Sequence, residues 1–468
     1  MKKTKIVCSI GPASNSYEVF KKMVDAGMNV ARVNFSHATI EERETVINLV
    51  KKANAELEKN IGLLFDTKGP EFRNGEVEDG GIKLIPGETI KIVKENVIGN
   101  HERFSVNHPE AVDSLNIGDT VQLENGLMKI EVIGKDVASV TCKIINGGIL
   151  GSKKSLFAPG VKLNIPFISS DDEEDIRYAV RNNGDFLALS FVSSKEDVLE
   201  ARKIIESEKG SIKIISKIES MTGINNLDEI LSVSDGVMVA RGDLGEEVPI
   251  SLLPVYQKKI IQRAREFGKV CIVATEMLES MKKNPRPTRA EVTDVANAVL
   301  DGTDAIMLSG ETTVGAYPVE AVSFMASIAS DAEDHSAKHF SYNGKIGRTE
   351  CIAKAAVDLT SYVDVAAVAV ESISGYSARM ISNFRPNAPI LANCTTEKTA
   401  RSLALNYGIY TCIVPLMDDT DELVNLVMQK TKEFFNLKKD DRIVITGGLP
   451  GIENERITNF LKMETISD

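Results

Sequence analysis

The sequence predicts an α/β protein with three parts: a (β/α)8 barrel, an all-β lid domain inserted into it, and a C-terminal α/β domain. Short runs rich in Val, Ile and Ala alternate with amphipathic stretches of helical period, which is typical of parallel strands joined by helices. One interval, from about 70 to 154, breaks this alternation with turn signals and period-2 segments. After a polar stretch at 331–349 the alternation resumes, which indicates a further α/β unit.

Eight short apolar runs account for the barrel. They have the length of buried strands and lie at 4–9, 29–35, 61–66, 185–191, 212–218, 235–240, 269–275 and 304–309. Eight such strands with intervening helices are the content of a (β/α)8, or TIM, barrel. Every run ends in polar or charged residues, and barrel proteins place their active sites at the carboxyl ends of the strands.

The interval at 70–154 has the pattern of a small β domain. Its turn signals are Gly81–Glu88, the hairpin-like segment Val132–Asp136, and Asn146–Gly148. Because it follows the third strand, we expect it to lie over the barrel rim as a lid. Further strands of the C-terminal domain are predicted at 363–370, 388–393, 409–415 and 442–446. The predicted boundaries are 1–69 and 155–335 for the barrel, 70–154 for the lid, and 336–468 for the C-terminal domain.

Composition and charge argue against several classes of partner. The chain has 468 residues, 43% hydrophobic and 26% charged, which is ordinary for a globular protein of two or three domains. Its formal net charge of −12 argues against nucleic acid or an anionic membrane, so an anionic substrate needs a local basic cluster. The cysteines are scattered singly, and no apolar run resembles a membrane span or a signal segment, so we expect a cytoplasmic protein.

Two carboxylates follow neighbouring predicted strands, Glu219 after 212–218 and Asp243 after 235–240. Because parallel strands end at one edge, both can bind one cation, and two carboxylates with water and a phosphate are usual around Mg²⁺. Lys217 lies two residues before Glu219 and therefore points to the same face, where it can stabilise a phosphoryl group in transfer. The alternative is a pair of rim carboxylates in ordinary ion pairs.

Other residues at the rim suit anions or cations. The turn Gly242–Gly245 could begin a short helix whose free N–H groups bind a carboxylate or a phosphate. Arg32 and Arg73 offer bidentate forks for phosphate, with surface ion pairs as the alternative. A set of hard oxygens suits a monovalent or divalent cation, with strand caps as the alternative: Asn34, Ser36, Asp66 and the Thr67 carbonyl.

Several common fingerprints are absent from the sequence. It has no Walker A loop, no G-x-G-x-x-G that opens a helix after a strand, and no G-x-S-x-G. His335 and His339 lie four residues apart in a polar stretch, which favours a solvated face over zinc. The segment Ser374–Ser377 follows a predicted strand of the C-terminal domain and opens a helix, so it either cradles a phosphate or forms a simple N-cap.

The motifs at these strand ends resemble those of the pyruvate kinase family. The similarity runs in order along essentially the whole chain and is carried by Lys5–Pro12, Asn29–His37, Asp66–Glu71, Lys217–Glu219, Met238–Leu244 and Asn284–Glu291. The resemblance implies transfer of the phosphoryl group of phosphoenolpyruvate to ADP, giving ATP and an enolpyruvate that is protonated to pyruvate, the last step of glycolysis. It also implies a cytoplasmic homotetramer controlled by a phosphorylated allosteric effector.

The resemblance assigns roles to individual residues by position. The implied assignments are Arg32, Arg73 and Lys217 for the transferring phosphate; Glu219 and Asp243 for Mg²⁺ or Mn²⁺; Asn34, Ser36, Asp66 and Thr67 for K⁺; Thr275 for protonation of the product; Gly242 and Asp243, with Arg32, Lys217 and Thr275, for substrate binding; Pro12, Asn34, His37, Arg73 and Lys154 for the nucleotide; and Ser372, Ser374, Gly375 and Ser377 for an effector phosphate. These roles agree with a mechanism based on positioning and charge neutralisation.

The chain departs from the family pattern near the expected site. Glu276 stands where the family usually has Gln, Phe157 where it has Asn, and Glu124-Asn125-Gly126 where it has Asp-Asp-Gly. Glu71 occupies the position at which potassium-independent relatives carry Lys, so it predicts a requirement for K⁺. Since the expected cation and phosphate ligands are retained, we expect these departures to alter kinetics and nucleotide contacts more than the reaction.

Two other functions remain open at the level of sequence. One is a metal-dependent enolate lyase or aldolase on the same barrel, although such enzymes lack the lid insertion and the Arg and Lys cluster. The other is a catalytically silent paralogue that senses a ligand, although no metal or phosphate ligand is lost. The loop at 447–455 adds two carboxylates beside the effector segment, which predicts activation by a sugar monophosphate or nucleotide in preference to fructose 1,6-bisphosphate.

Overall fold

The computed structural model describes residues 1–124, 126–161, 163–335, 342–448 and 458–467. In chain order the strands are β1 Lys5–Ser9, β2 Val30–Asn34, β3 Gly62–Asp66, β4 Ile82–Leu84, β5 Thr89–Val93, β6 Arg103–Ser105, β7 Thr120–Leu123, β8 Met128–Lys135, β9 Ser139–Asn146, β10 Gly148–Leu150, β11 Leu156–Phe157, β12 Phe186–Leu189, β13 Lys213–Ile218, β14 Gly236–Ala240, β15 Val270–Ala274, β16 Ala305–Leu308, β17 Ala367–Glu371, β18 Ile390–Cys394, β19 Ile409–Ile413, β20 Arg442–Gly447 and β21 Phe460–Thr465. The α-helices are α1 Tyr17–Ala26, α2 Ile40–Leu57, α3 Ser170–Arg181, α4 Lys195–Ser207, α5 Met221–Asn225, α6 Leu227–Val233, α7 Arg241–Glu247, α8 Leu253–Glu266, α9 Arg289–Leu300, α10 Gly310–Thr313, α11 Pro318–Glu333, α12 Arg348–Tyr362, α13 Tyr376–Asn383, α14 Glu397–Arg401 and α15 Thr420–Phe435.

Parallel strands close into a barrel in the order β1-β2-β3-β12-β13-β14-β15-β16. Each of these strands lies within one of the eight predicted runs, so the predicted barrel is confirmed. The strands read as continuous apolar runs because they are buried on both faces, by helices outside and by side chains inside. The interior is filled by large residues such as Leu64, Ile215, Met238 and Met307.

Several helices begin at side-chain caps that the sequence encodes locally. At the start of α9, the Thr288 hydroxyl accepts from the Glu291 N–H (3.2 Å) and the Glu291 carboxylate accepts from the Thr288 N–H (2.7 Å), which forms a capping box. The same carboxylate also accepts from the Ser280 N–H (2.7 Å). The motif Asn284–Glu291 therefore fixes both the start of α9 and the loop before it.

The lid domain is inserted after β3 and has its own core. Its main sheet has the order β11-β7-β8-β9-β5-β6, and β4 pairs with β10. The hairpin expected at Val132–Asp136 has its turn at 136–138 and not at Gly134. The Asp136 side chain fixes this turn, because it accepts from the N–H groups of Ala138 and Ser139, both at 2.8 Å. Gly134 instead lies within β8, next to a shift in the register with β9.

The C-terminal domain contains the sheet β19-β18-β17-β20-β21, in which β21 is antiparallel and the other strands are parallel. Four of these strands were predicted, but the first begins at Ala367 rather than 363 because α12 continues to Tyr362. The edge strand β21 was not predicted. In the described part of the chain, no helix is both long and apolar enough to cross a membrane.

Candidate active site

A cavity of about 220 Å³ opens at the carboxyl ends of the barrel strands. Most of the residues expected at the site line this one cavity: Arg32, Asn34, Ser36, His37, Asp66, Thr67, Lys217, Glu219, Asp243 and Thr275. They come from β2, β3, β13, the start of α7 and the end of β15. The barrel therefore brings together residues that lie up to 243 positions apart in the sequence.

Lys217 is buried between carboxylates. Its ammonium lies 3.2 Å from Asp66 Oδ1 and 3.1 Å from Glu219 Oε1, and it donates to Ser190 Oγ at 2.7 Å. Burial opposes the charged form, but the charges of Asp66, Glu219 and Asp243 outweigh burial and raise the pKa of Lys217. The side chain is therefore a fixed positive charge facing the cavity.

Glu219 has an unusual environment for a carboxylate, because it is 0% exposed. Its Oε2 accepts from the Phe191 N–H (2.6 Å), whereas Oε1 is ion-paired with the Lys217 ammonium (3.1 Å) and accepts no well-aligned hydrogen bond from the described residues. Burial raises the pKa of Glu219 against the opposing charge of Lys217, and the nearby Asp243 carboxylate adds to the rise. Two carboxylates that face one cavity and repel each other fit a bound cation.

Asp66 lies between two cations. Its Oδ2 accepts from Arg32 Nε (2.7 Å), and Arg32 also donates to Ser9 Oγ (2.7 Å). Burial opposes ionisation of Asp66, but Arg32 and Lys217 overcome it and keep the pKa of this carboxyl below its usual value. The arrangement places two positive groups side by side at the cavity wall, as a phosphate site requires.

The other oxygens of the expected K⁺ set face the same cavity. Asn34 Oδ1 accepts from the Ser36 N–H (3.0 Å), and the Thr67 carbonyl accepts from Ser190 Oγ (2.7 Å). The Asn34 contact is a strand-end cap, which is the alternative to a cation site that the sequence left open. Each oxygen retains a second lone pair, so a capping contact does not prevent it from binding a cation.

Thr275 is positioned by two residues of α7. Its hydroxyl accepts from the Gly242 N–H (2.8 Å) and donates to the Ala274 carbonyl (2.6 Å). Arg241 donates to the Thr275 carbonyl at 2.6 Å and forms an ion pair with Asp294 at 2.7 Å. Thr275 has φ +70°, a strained conformation for a β-branched residue, which these contacts stabilise.

Some expected residues lie outside the first cavity. Arg73 forms a bidentate ion pair with Glu71 (2.7 and 2.9 Å), and Lys154 lies 2.7 Å from Glu124. Arg73 and Lys154 line a second cleft of about 520 Å³ between the lid and the barrel, which shares Asp243 with the first. Pro12 is exposed and lines neither cavity.

The predicted effector segment opens α13. Gly375 has φ +79°, Ser377 Oγ lies 2.6 Å from Thr458 Oγ1, and the buried Ser372 hydroxyl has no hydrogen-bond partner among the described residues. Glu371, the last residue of β17, is buried beside this loop and accepts from the Gly448 N–H at 3.4 Å. Asn125 and most of the loop 447–455 lie outside the described residues.

Three contributors to the site were not predicted as site residues. Ser190 bridges Lys217 and Thr67, the Phe191 N–H binds Glu219, and Arg241 holds the Thr275 loop. The sequence indicated these residues only through their positions directly after β12 and β14, at the same edge of the barrel as the predicted site residues. The contribution of Phe191 comes from its backbone, with φ +57°, which no side-chain pattern indicates.

Comparisons with known proteins agree along the chain. The pyruvate kinase barrel domain model matches residues 1–322, and the pyruvate kinase alpha/beta domain model matches residues 350–463. Pyruvate kinases of Staphylococcus epidermidis and Bacillus licheniformis are 44% and 43% identical over 476 residues, across 100% of this chain and 81% of their own length. A crystal structure of a pyruvate kinase from Cryptosporidium parvum superposes with a TM-score of 0.92 at 36% identity, covering 99% of this chain and 96% of that one. The chain therefore belongs to the pyruvate kinase family of phosphotransferases.

Proposed function

We propose that the rim cavity transfers the phosphoryl group of phosphoenolpyruvate to ADP with Lys217 as its central catalytic residue. The observation that carries this proposal is the burial of Lys217 between Asp66 and Glu219 at the wall of one small cavity. Burying three charged groups is unfavourable unless they are paired with one another, and buried charge clusters that face a cavity are typical of functional sites. A fixed ammonium facing the cavity stabilises the charge that develops on a phosphoryl group in transfer.

Arg32 and Lys217 hold the phosphate of the substrate in this proposal. Both now bind Asp66, so an incoming phosphate would share these two cations with that carboxylate. Positioning the phosphate between groups that are already fixed lowers the barrier without a covalent intermediate on the protein. Gly242 and Asp243, at the start of α7, complete the substrate-binding wall.

Glu219 and Asp243 would hold Mg²⁺ or Mn²⁺, and the two carboxylates facing the same cavity support this assignment. When bound, the divalent ion would neutralise charge on the substrate and orient it. Asn34, Ser36, Asp66 and Thr67 would hold K⁺. Within the described residues no three His, Cys, Asp or Glu side chains form a group that could hold a metal ion.

Thr275 would assist protonation of the enolpyruvate, because its hydroxyl is fixed between the Gly242 N–H and the Ala274 carbonyl at the cavity wall. The nucleotide would bind towards the lid, where Arg73 and Lys154 supply positive charge. Asn34, His37 and Pro12 are the remaining nucleotide residues of the proposal. Phe157, which lines this cleft, replaces a polar residue of the family with an apolar ring.

The test is a coupled assay of ATP formation from phosphoenolpyruvate and ADP with Mg²⁺, in K⁺ and in tetramethylammonium. We expect turnover in K⁺ and a large loss in tetramethylammonium, because Glu71 is a carboxylate and cannot replace the ion. Equal rates in the two salts would contradict the K⁺ site. Absence of ATP formation would leave a lyase or aldolase as the alternative, and binding of phosphoenolpyruvate without turnover would favour a silent paralogue.

The wider organisation is part of the same proposal. We infer a cytoplasmic homotetramer whose effector phosphate binds at Ser372, Ser374, Gly375 and Ser377. The divisions at 69/70, 154/155 and 335/336 remain predicted domain boundaries.

A further inference from the structure

The amino-terminal edge of the barrel, opposite the active site, carries a repeated hydrogen bond. The residue just before every second barrel strand accepts, through its side chain, from the N–H of the second residue of the preceding strand. The four pairs are Asn29 with Ile6 (3.0 Å), Asp185 with Leu63 (3.0 Å), Asp235 with Ile214 (3.0 Å) and Asp304 with Cys271 (2.9 Å). Three of the four acceptors are carboxylates and need a nearby positive charge.

These carboxylates obtain their cations from different domains. Asp235 is paired with Arg202 of α4 (3.1 Å) and Lys213 of β13 (3.4 Å), both within the barrel. Asp185 is paired instead with two residues of the C-terminal domain, Lys398 at 3.0 Å and Arg401 at 3.1 Å, both from α14. Its side chain is 0% exposed, so the C-terminal domain supplies the charge that a fully buried barrel carboxylate requires.

Asp185 sits where it can affect the active site. It directly precedes β12, and its backbone N–H donates to the Leu63 carbonyl of β3 (2.9 Å) while its carbonyl accepts from the Lys213 N–H of β13 (3.0 Å). At their other ends, β3 leads to Asp66, β12 to Ser190 and β13 to Lys217. These strands are only four to six residues long, so a displacement at Asp185 is transmitted to all three.

The same short helix also contacts the predicted effector loop. Thr399, between Lys398 and Arg401 in α14, donates from its hydroxyl to the Ile373 carbonyl (2.9 Å). Ile373 lies inside the segment 372–377. A continuous chain of contacts therefore runs from this loop through α14 and Asp185 to the strands that hold the candidate active site.

We propose that Asp185, held by Lys398 and Arg401, is a positioning residue through which the C-terminal domain sets the affinity of the barrel for phosphoenolpyruvate and K⁺. The inference rests on the proposed function. Without its two cations, the buried Asp185 carboxylate loses its counter-charges and draws in water, and the starts of β3 and β12 shift with it. The charges of the active site remain in the protein, so substrate and K⁺ affinity change more than the maximal rate.

The experiment compares the full-length wild type with the double variant Lys398→Met/Arg401→Met. We expect the half-saturating concentrations of phosphoenolpyruvate and K⁺ to rise about tenfold, with kcat within about twofold. Arg202→Met is the matched control, because it removes a cation from Asp235, the equivalent carboxylate of the repeat, inside the barrel. Shifts in the double variant no larger than those in the control overturn the proposal.

A double-mutant cycle separates the named contact from a general loss of stability. Asp185→Asn keeps an acceptor for the Leu63 N–H but removes the charge, so the two methionine substitutions should have little further effect in that background. Equal effects in both backgrounds overturn the proposal. If the double variant does not fold, Lys398→Met alone removes the more exposed cation. We then expect the half-saturating concentrations of phosphoenolpyruvate and K⁺ to rise about threefold. Unchanged half-saturating concentrations in this single variant would also overturn the proposal.

Glucose 6-phosphate and AMP serve as probes of the loop itself. An effector that shifts phosphoenolpyruvate saturation in the wild type should lose most of that shift in the double variant, and an unchanged shift overturns the proposed connection. The proposed function fails independently if the wild type forms no ATP. If the wild type turns over normally and the variants keep its half-saturating concentrations, only the proposed role of Asp185 is overturned.

Discussion

At the scale of single residues, the site depends on buried charges that compensate one another. Lys217 lies between Asp66 and Glu219, and Arg32 binds the other oxygen of Asp66. Each of these charges would be unfavourable if it were buried without a partner. The groups are therefore held in contact, and each fixes the position of the next. Electrostatic preorganisation of this kind is the main source of catalysis in phosphoryl transfer, because the protein forms no covalent bond to the substrate.

Replacing Lys217 with Met keeps the length of the side chain but removes the charge facing the cavity. We expect kcat to fall by roughly 10² to 10³, the range for loss of one electrostatic stabiliser. The measurement is kcat in the coupled assay. Lys258→Met is the control and should leave kcat unchanged, because that lysine pairs with Asp301 on the outside of the barrel. Near-normal turnover in a folded Lys217→Met protein would remove this residue from the mechanism.

Glu276 tests whether a departure from the family pattern matters. Its side chain is exposed and does not line the rim cavity, although it follows Thr275 directly and has φ +54°. We therefore expect Glu276→Gln to change kcat by less than about tenfold, or about 1.4 kcal/mol in the barrier. An inactive natural protein restored by this substitution would instead support the silent paralogue.

At the scale of elements, the sequence predicts the barrel well and the contacts across it poorly. Buried parallel strands have an unambiguous apolar pattern, so all eight were found. The strand β21 was missed because it is an edge strand, half-buried or exposed, and carries no core pattern. The roles of Ser190 and Asp185 were missed because they depend on which strands become neighbours, a long-range property that local periodicity does not contain.

The strand β1 carries a pH-sensitive contact with the C-terminal domain. Lys5 is buried and donates to the Ile409 carbonyl of β19, with its ammonium 4.7 Å from the centre of the Tyr410 ring. Burial lowers the pKa of Lys5 from 10.5 to about 7, the Lys2 ammonium adds to this effect, and the Glu333 carboxylate opposes it. Between these values the unfolded chain binds the proton and the folded protein does not.

The contribution of Lys5 to stability therefore rises as the pH increases from about 7 to 10. We expect the melting temperature of the wild type, relative to that of Lys5→Met, to increase across this range in a thermal-shift experiment. Lys52→Met, which removes an exposed lysine paired with Glu56, should show no such trend. A constant difference between wild type and Lys5→Met would mean that Lys5 remains charged in the folded protein.

At the scale of the whole molecule, the barrel receives the other two domains at opposite ends. The lid follows β3 and lines the second cleft, next to the rim cavity, through Arg73 and Lys154, whereas the C-terminal domain contacts the amino-terminal edge through Lys398, Arg401 and Arg385. A ligand bound at the predicted effector loop, Ser372–Ser377, would therefore have to act on the site across the barrel, and the strands connect the two ends. We expect the charges around this loop to decide which ligand binds there.

The predicted effector loop, Ser372–Ser377, leads to a prediction about its effector. The sequence places two carboxylates in the loop 447–455, and the structure adds Glu371, buried beside Ser372. One phosphate can be held by the serine hydroxyls and free N–H groups, but a second phosphate would meet negative charge. We therefore expect a sugar monophosphate or a nucleotide to lower the half-saturating concentration of phosphoenolpyruvate more than fructose 1,6-bisphosphate does.

The measurement is the phosphoenolpyruvate saturation curve with each compound, repeated on Ser377→Glu. Ser377 Oγ lies 2.6 Å from Thr458 Oγ1 at the start of α13, so a carboxylate there both breaks this contact and repels an anion. Activation should be lost in this variant and kept in Ser361→Glu, an exposed position at the end of α12. Stronger activation by the bisphosphate than by the monophosphates would contradict the predicted preference. Activation that survives Ser377→Glu would show that the effector binds elsewhere, because an anion in this loop would meet the added charge.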